Sequence, residues 1–161
     1  MLYKETSIPT LLAFQNTSAE TLVKGMDFPI VFLPSDKTKD TEIAITKIQT
    51  SEKIICFGQK PQIKNKICLE LVARDNDALL PTNFELETFK KKLEANNITY
   101  IESKKPGTSY CNLVYWNALK FIKDKNCDCK FLFIHIPFEK NIENISELRE
   151  KLNNVLKTLC F

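Results

Sequence analysis

The sequence predicts an α/β fold, a three-layer α/β/α sandwich with a mostly parallel central sheet. Short runs that are apolar almost throughout alternate with stretches that carry apolar residues at helical spacing, from one end of the chain to the other. Strands without an alternating polar face are those covered by helices on both sides, the situation of a parallel sheet. With 161 residues and 43% hydrophobic content, one continuous core can form, so residues 1–161 are expected to make a single domain.

Pro9-Thr10-Leu11-Leu12-Ala13-Phe14 reads as the first strand, and Asn16-Thr17-Ser18 offers capping side chains for a helix running to about Met26. Pro29 to Phe32 is a second strand, and Ile43, Ala44 and Ile48 mark a helix between Thr38 and Thr50. Lys53 to Phe57 is a third strand, closed by Gly58. Ile67 to Val72 is an extended run that holds one acid, Glu70, and Leu86, Phe89 and Leu93 form a helical stripe. Thr99 to Glu102 is a short strand before a loop that turns into the apolar helix Leu113 to Ile122. Phe131 to Pro137 is a buried strand, and Ile145, Leu148, Leu152, Val155 and Leu156 give a final amphipathic helix.

Composition narrows the function. The net charge of +3 arises from 23 Lys+Arg and 20 Asp+Glu spread along the chain, which leaves no basic stripe for nucleic acid. Arg74 and Arg149 are the two arginines, and the three glycines Gly25, Gly58 and Gly107 are too scattered for a phosphate-cradling loop. No cofactor is expected. The start Met1 to Thr6 lacks a signal pattern and no run is long enough to span a membrane, so a cytoplasmic location and no membrane partner are expected. Six cysteines, at positions 56, 68, 111, 127, 129 and 160, show no paired C-x-x-C spacing, which fits a reducing compartment. Cys127-Asp128-Cys129 beside a single histidine is wrong for zinc, so that stretch reads as a solvated loop and no metal is expected. Runs such as Lys90-Lys91-Lys92 read as solvated faces.

The chemistry centres on Gly107-Thr108-Ser109-Tyr110-Cys111-Asn112, which sets a cysteine where a loop becomes a helix. Unpaired N–H groups there lower a thiol pKa, so Cys111 is expected to be a reactive thiolate rather than plain core. The only histidine, His135, lies in the run Phe133-Ile134-His135-Ile136-Pro137 and is either a base for Cys111 or a buried imidazole satisfied by a carbonyl. Glu70, in an apolar strand, needs a partner, and either an imidazole N–H or a lysine would supply one. With the imidazole, Cys111, His135 and Glu70 make a catalytic triad.

The segments G-x-x-Y-C-N and F-I-H-I-P at this separation resemble the active-site segments of the pyroglutamyl peptidases, cysteine enzymes that remove an amino-terminal pyroglutamate. The similarity runs through most of the chain in order. Ile67 to Ala73 is similar to the family's I-S-x-E-R-x-A strand, which implies that Glu70 is the triad acid. Phe57-Gly58-Gln59 is similar to its G-Q segment, which implies that Gln59 faces the substrate lactam, and Phe14 takes the place of an aromatic pocket wall. The resemblance implies a small peptide substrate.

Departures are equally specific. The G-F-x-P-F-G loop has shrunk to Phe14-Gln15-Asn16, the arginine expected after Glu70 to hold the oxyanion has no match, and a long projecting loop is deleted. Tyr110 stands where the family has a small aliphatic residue and would narrow the pocket. With the projecting loop gone, a monomer or small homo-oligomer is expected. Two other readings stay open: a cysteine amidohydrolase of the same fold with another small amide substrate, and a degenerate member that binds a partner without turnover.

Overall fold

The computed structural model describes residues 8–107 and 109–159. The initial segment Met1 to Thr6, Thr108 of the cysteine loop and Cys160 lie outside the described residues.

Eight strands and five helices follow one another as β1 (Thr10–Phe14), α1 (Ser18–Val23), β2 (Ile30–Leu33), α2 (Lys37–Ile48), β3 (Lys53–Lys60), β4 (Ile67–Glu70), β5 (Val72–Asp75), β6 (Ala78–Pro81), α3 (Leu86–Ala95), β7 (Tyr100–Ser103), α4 (Tyr110–Lys125), β8 (Lys130–Pro137) and α5 (Ile145–Lys157). A 3₁₀ turn, Glu139–Asn141, precedes α5. Six strands form one sheet in the order β2-β1-β3-β8-β4-β7. All its pairings are parallel except β4 with β8, which is antiparallel. The sheet is therefore mostly parallel, as the continuous apolar strands require.

Local chemistry sets the helix starts. Thr17 accepts from the N–H of Ala19, Asp36 accepts from those of Thr38 and Lys39, and Asn144 accepts from that of Glu147, giving α1, α2 and α5 their N-caps. Asn126, at φ 51°, closes α4 in the left-handed region that asparagine tolerates.

Each sheet face carries its own core. Leu11, Ile55, Phe57, Leu69, Leu132 and Ile134 point to the side covered by α1, α3 and α5. Leu12, Phe14, Cys56, Phe131 and Phe133 point to the side covered by α2 and α4. The period of two along each strand makes this division.

Three differences from the sequence reading bear on the site. β3 does not end at Gly58 but continues to Lys60, pairing with β8 to its end. The stretch after Glu70 is a two-stranded antiparallel hairpin, β5–β6, where the sequence suggested only a deletion. Cys127-Asp128-Cys129 is not simply a solvated loop, because Cys129 is buried in the core beneath α4.

Candidate active site

Three central strands supply the floor of the site, all on the α2/α4 face. Register places Gly58 of β3 beside His135 of β8, and Cys68 of β4 on the other side of His135. Side chains two apart share a face, so Lys60, Glu70 and Phe133 join them. Glu70 thus lies on the same face as His135, and its Oε1 is 2.8 Å from His135 Nδ1. With the carboxylate accepting, Nδ1 carries the proton, and in the neutral ring Nε2 holds the free lone pair.

The cysteine comes from above the sheet. Cys111 is the second residue of α4, and its sulfur sits over Gly58: a Cβ built there would lie 2.8 Å from Cys111 Sγ and 3.0 Å from Phe133 Cζ. Glycine at 58 therefore makes the space the sulfur occupies. Cys111, His135 and Glu70 all line one small cavity of about 20 Å³, together with Ser109, Tyr115 and Phe133. That volume holds roughly one water. Among the described residues, no hydrogen bond joins the sulfur to the imidazole.

Tyr115, one turn along α4 from Cys111, donates its hydroxyl to the Glu70 carbonyl at 2.7 Å. Asn112 is tied in both directions to the backbone of Arg74 in β5, at 2.9 Å and 2.7 Å. The helix carrying Cys111 is thereby fixed to the strand carrying Glu70 and to the hairpin beyond it. Neither anchor was singled out from the sequence; helical spacing from Cys111 to Tyr115 was the one available signal.

Electrostatics corrects one expectation. Burial pushes the Cys111 thiol up to about 12, the charges of Glu70 and Asp40 push the same way, and the Ser109 hydroxyl offsets only part of this. The resting sulfur is a neutral thiol, because loss of solvent outweighs the helix-end effect that favoured a thiolate. Burial also pushes Glu70 up, but His135 and Lys60 outweigh it and leave the carboxyl below its ordinary value. Glu70 stays ionised through its partners.

The predicted pocket residues are not gathered at this cavity. Gln59 follows Gly58 and so points to the opposite face, where its Oε1 accepts from the N–H and hydroxyl of Ser18 at 3.1 Å and 3.3 Å. Phe14 is buried in the core, its ring 6.4 Å from that of Phe133. Tyr110 is exposed and lines an open outer groove of about 670 Å³ with Arg74 and Asn112. Ser109 makes no side-chain cap bond to α4.

No family model matches the sequence, and no curated protein matches it. Solved structures do match. A variant pyrrolidone carboxyl peptidase from the hyperthermophile Pyrococcus furiosus superposes with a TM-score of 0.78 at 15% identity, over 94% of this chain and 97% of that one. The pyrrolidone carboxyl peptidase of Thermococcus litoralis gives 0.71 at 18% identity, over 94% and 92%. Pyroglutamyl peptidase I of Bacillus amyloliquefaciens gives 0.78 at 18% identity, over 96% and 95%. The chain has the pyroglutamyl peptidase fold. In the pyroglutamyl peptidase fold as this chain forms it, Gly58 and His135 lie two residues from the carboxyl ends of the adjacent parallel strands β3 and β8. Carboxyl ends of strands are where open α/β sheets bind ligands. No described helix is long and apolar enough to cross a membrane.

Proposed function

We propose that the protein is a cysteine peptidase of the pyroglutamyl peptidase type, cleaving the amide that follows a small amino-terminal residue. The observation that supports this most is the meeting of Cys111, His135 and Glu70 at one cavity, with Glu70 Oε1 2.8 Å from His135 Nδ1. Cys111 is the nucleophile, His135 the base and then the acid, and Glu70 the group that orients the imidazole.

As Sγ attacks the carbonyl carbon, its proton passes to His135 Nε2. The carbonyl oxygen takes the negative charge and is held by backbone N–H groups of the first turn of α4. The imidazolium gives its proton to the departing amine as the C–N bond breaks, leaving a thioester. Water then loses a proton to Nε2 and attacks the thioester, and the thiol is restored when the acid leaves. A neutral thiol at rest means that proton transfer accompanies attack rather than preceding it.

Pyroglutamate is the substrate implied by the resemblance. A second reading, another small amide, is favoured by Gln59, whose carbonyl oxygen is occupied by Ser18 on the other side of the sheet. The deciding assay compares fluorogenic pyroglutamyl and prolyl amides. The expected result is slow, selective turnover of the pyroglutamyl amide, abolished in Cys111→Ala and in His135→Ala. Equal cleavage of both amides, unchanged in Gln59→Ala, selects the second reading, and no cleavage of any small amide removes the peptidase.

A further inference from the structure

Three donors converge on one oxygen at the acid of the site. Glu70 Oε1 accepts from His135 Nδ1 at 2.8 Å, from Lys60 Nζ at 3.1 Å and from Cys68 Sγ at 3.4 Å. The other oxygen, Oε2, is buried and has no partner among the described residues. The lysine therefore does not replace the histidine at the carboxylate; both hold it at once. Lys60 reaches this place because β3 runs two residues beyond Gly58, which returns its side chain to the face of His135.

We propose that Lys60 is a positioning residue that, through the shared oxygen of Glu70, weakens the hold of the carboxylate on a proton at His135. This rests on the triad reading above. A lone carboxylate in contact with an imidazole favours the imidazolium, since opposite charges meet in a poorly solvated place. With the ammonium of Lys60 on the same oxygen, His135 faces a pair of zero net charge and feels the lysine as a like charge. The imidazolium is then less stable than it would be beside the carboxylate alone. It is also a stronger acid once formed, the property needed to protonate a departing amine.

The surroundings leave the balance with these groups. From β4, Glu70 and the thiol of Cys68 share the sheet face of the imidazole, and from β3 Lys60 and the buried thiol of Cys56 do. From α4 come the Cys111 thiol and the Tyr115 hydroxyl, which is engaged by the Glu70 carbonyl. From α2, the Asp40 carboxyl acts on the Cys111 sulfur. On β7, Glu102 pairs with Leu69 and so points to the opposite face, where it meets Lys90 at 2.9 Å.

Since His135 is the only histidine, its ring proton resonances report one titration without ambiguity. The experiment follows that midpoint by NMR in wild type, Lys60→Met, Lys60→Gln and Lys60→Arg. Both neutral variants are expected to raise the midpoint by about one pH unit, while Lys60→Arg holds it near wild type. Where turnover is measurable, the acid limb of the kcat/KM profile moves upward by the same amount in the neutral variants. A midpoint that stays put or falls in whichever neutral variant folds overturns the proposal, as does an equal rise in Lys60→Arg. The NMR midpoint needs no substrate, so failure to cleave pyroglutamyl amides bears on the peptidase reading alone.

Discussion

At the scale of single residues, Gly58 is the position on which the placing of Cys111 depends. Its missing side chain is the room taken by Cys111 Sγ and the edge of the Phe133 ring, 2.8 Å and 3.0 Å from where a Cβ would stand. Backbone conformation is not the reason, for Gly58 lies inside a regular parallel strand. In Gly58→Ala either the sulfur or the ring must yield. Overpacking of this kind costs about 1–3 kcal/mol, and a displaced nucleophile is expected to lose activity by about 100-fold. Thermal unfolding and kcat/KM measured side by side test this; an activity loss no larger than the stability loss would place the strain on Phe133 alone. The same crowding explains the neutral thiol. With burial pushing Cys111 up to about 12, slow alkylation at neutral pH is expected even of a working enzyme, and turnover is the more telling measurement.

At the scale of elements, α4 is fastened both along its length, where Asn117 Nδ2 donates to Thr41 Oγ1 of α2 at 2.9 Å, and at its beginning, beside the site. Asn112 holds it to β5, and Tyr115 holds it to β4 through the Glu70 carbonyl at 2.7 Å. Tyr115 is almost wholly buried, its ring 5.6 Å from that of Phe133. Tyr115→Phe keeps the packing and removes one hydrogen bond, leaving a buried carbonyl without its donor. A loss of about 1–3 kcal/mol is expected, read as a lower urea midpoint with an unchanged slope. A still larger drop in activity would show that the bond also aligns Glu70 with His135. The hairpin β5–β6 belongs to this arrangement, because it supplies the backbone that grips Asn112. Its turn passes through Asn76 at φ 52°, a conformation that asparagine adopts at little cost.

At the scale of the whole molecule, two buried carboxyls act on stability in opposite directions. Burial raises Glu70, but His135 and Lys60 outweigh it and lower its folded value beneath 4.5. Its contribution is present above that unfolded value and is lost as pH falls through the folded one. Asp40, fully buried with no good hydrogen-bond partner for either oxygen among the described residues, is raised above 3.8, chiefly by burial. For a raised carboxyl the sign reverses. The folded state holds the proton more tightly than the unfolded chain, so its contribution is best in acid and declines as pH rises from the unfolded value through the folded one. Asp40→Asn is therefore expected to gain about 1 kcal/mol near neutrality, a difference that vanishes in acid below the unfolded value. Chemical denaturation across the pH range checks this, and an equal effect at every pH would rule out titration as the cause.

The sequence by itself determined the layers and pointed to three candidate groups. Continuous apolar runs such as Ile54 to Phe57 and Phe131 to Ile134 can be satisfied only by helices on both faces, and that pattern survives without any knowledge of what packs where. His135 and Glu70 stood out as polar residues in apolar runs, and Cys111 as a cysteine where a loop becomes a helix. Tertiary structure decided what these groups meet. Whether Glu70 pairs with a histidine or a lysine was open in the sequence, and the answer is both, because Lys60 returns to the same sheet face only if β3 continues past Gly58. Strand parity likewise turned Gln59 toward Ser18, and depth turned an expected thiolate into a thiol. Propensity and periodicity are local and can be read from neighbours in the chain, whereas register, solvent exclusion and shared hydrogen bonds depend on residues brought together from 10 to 65 positions apart, and only folding places them.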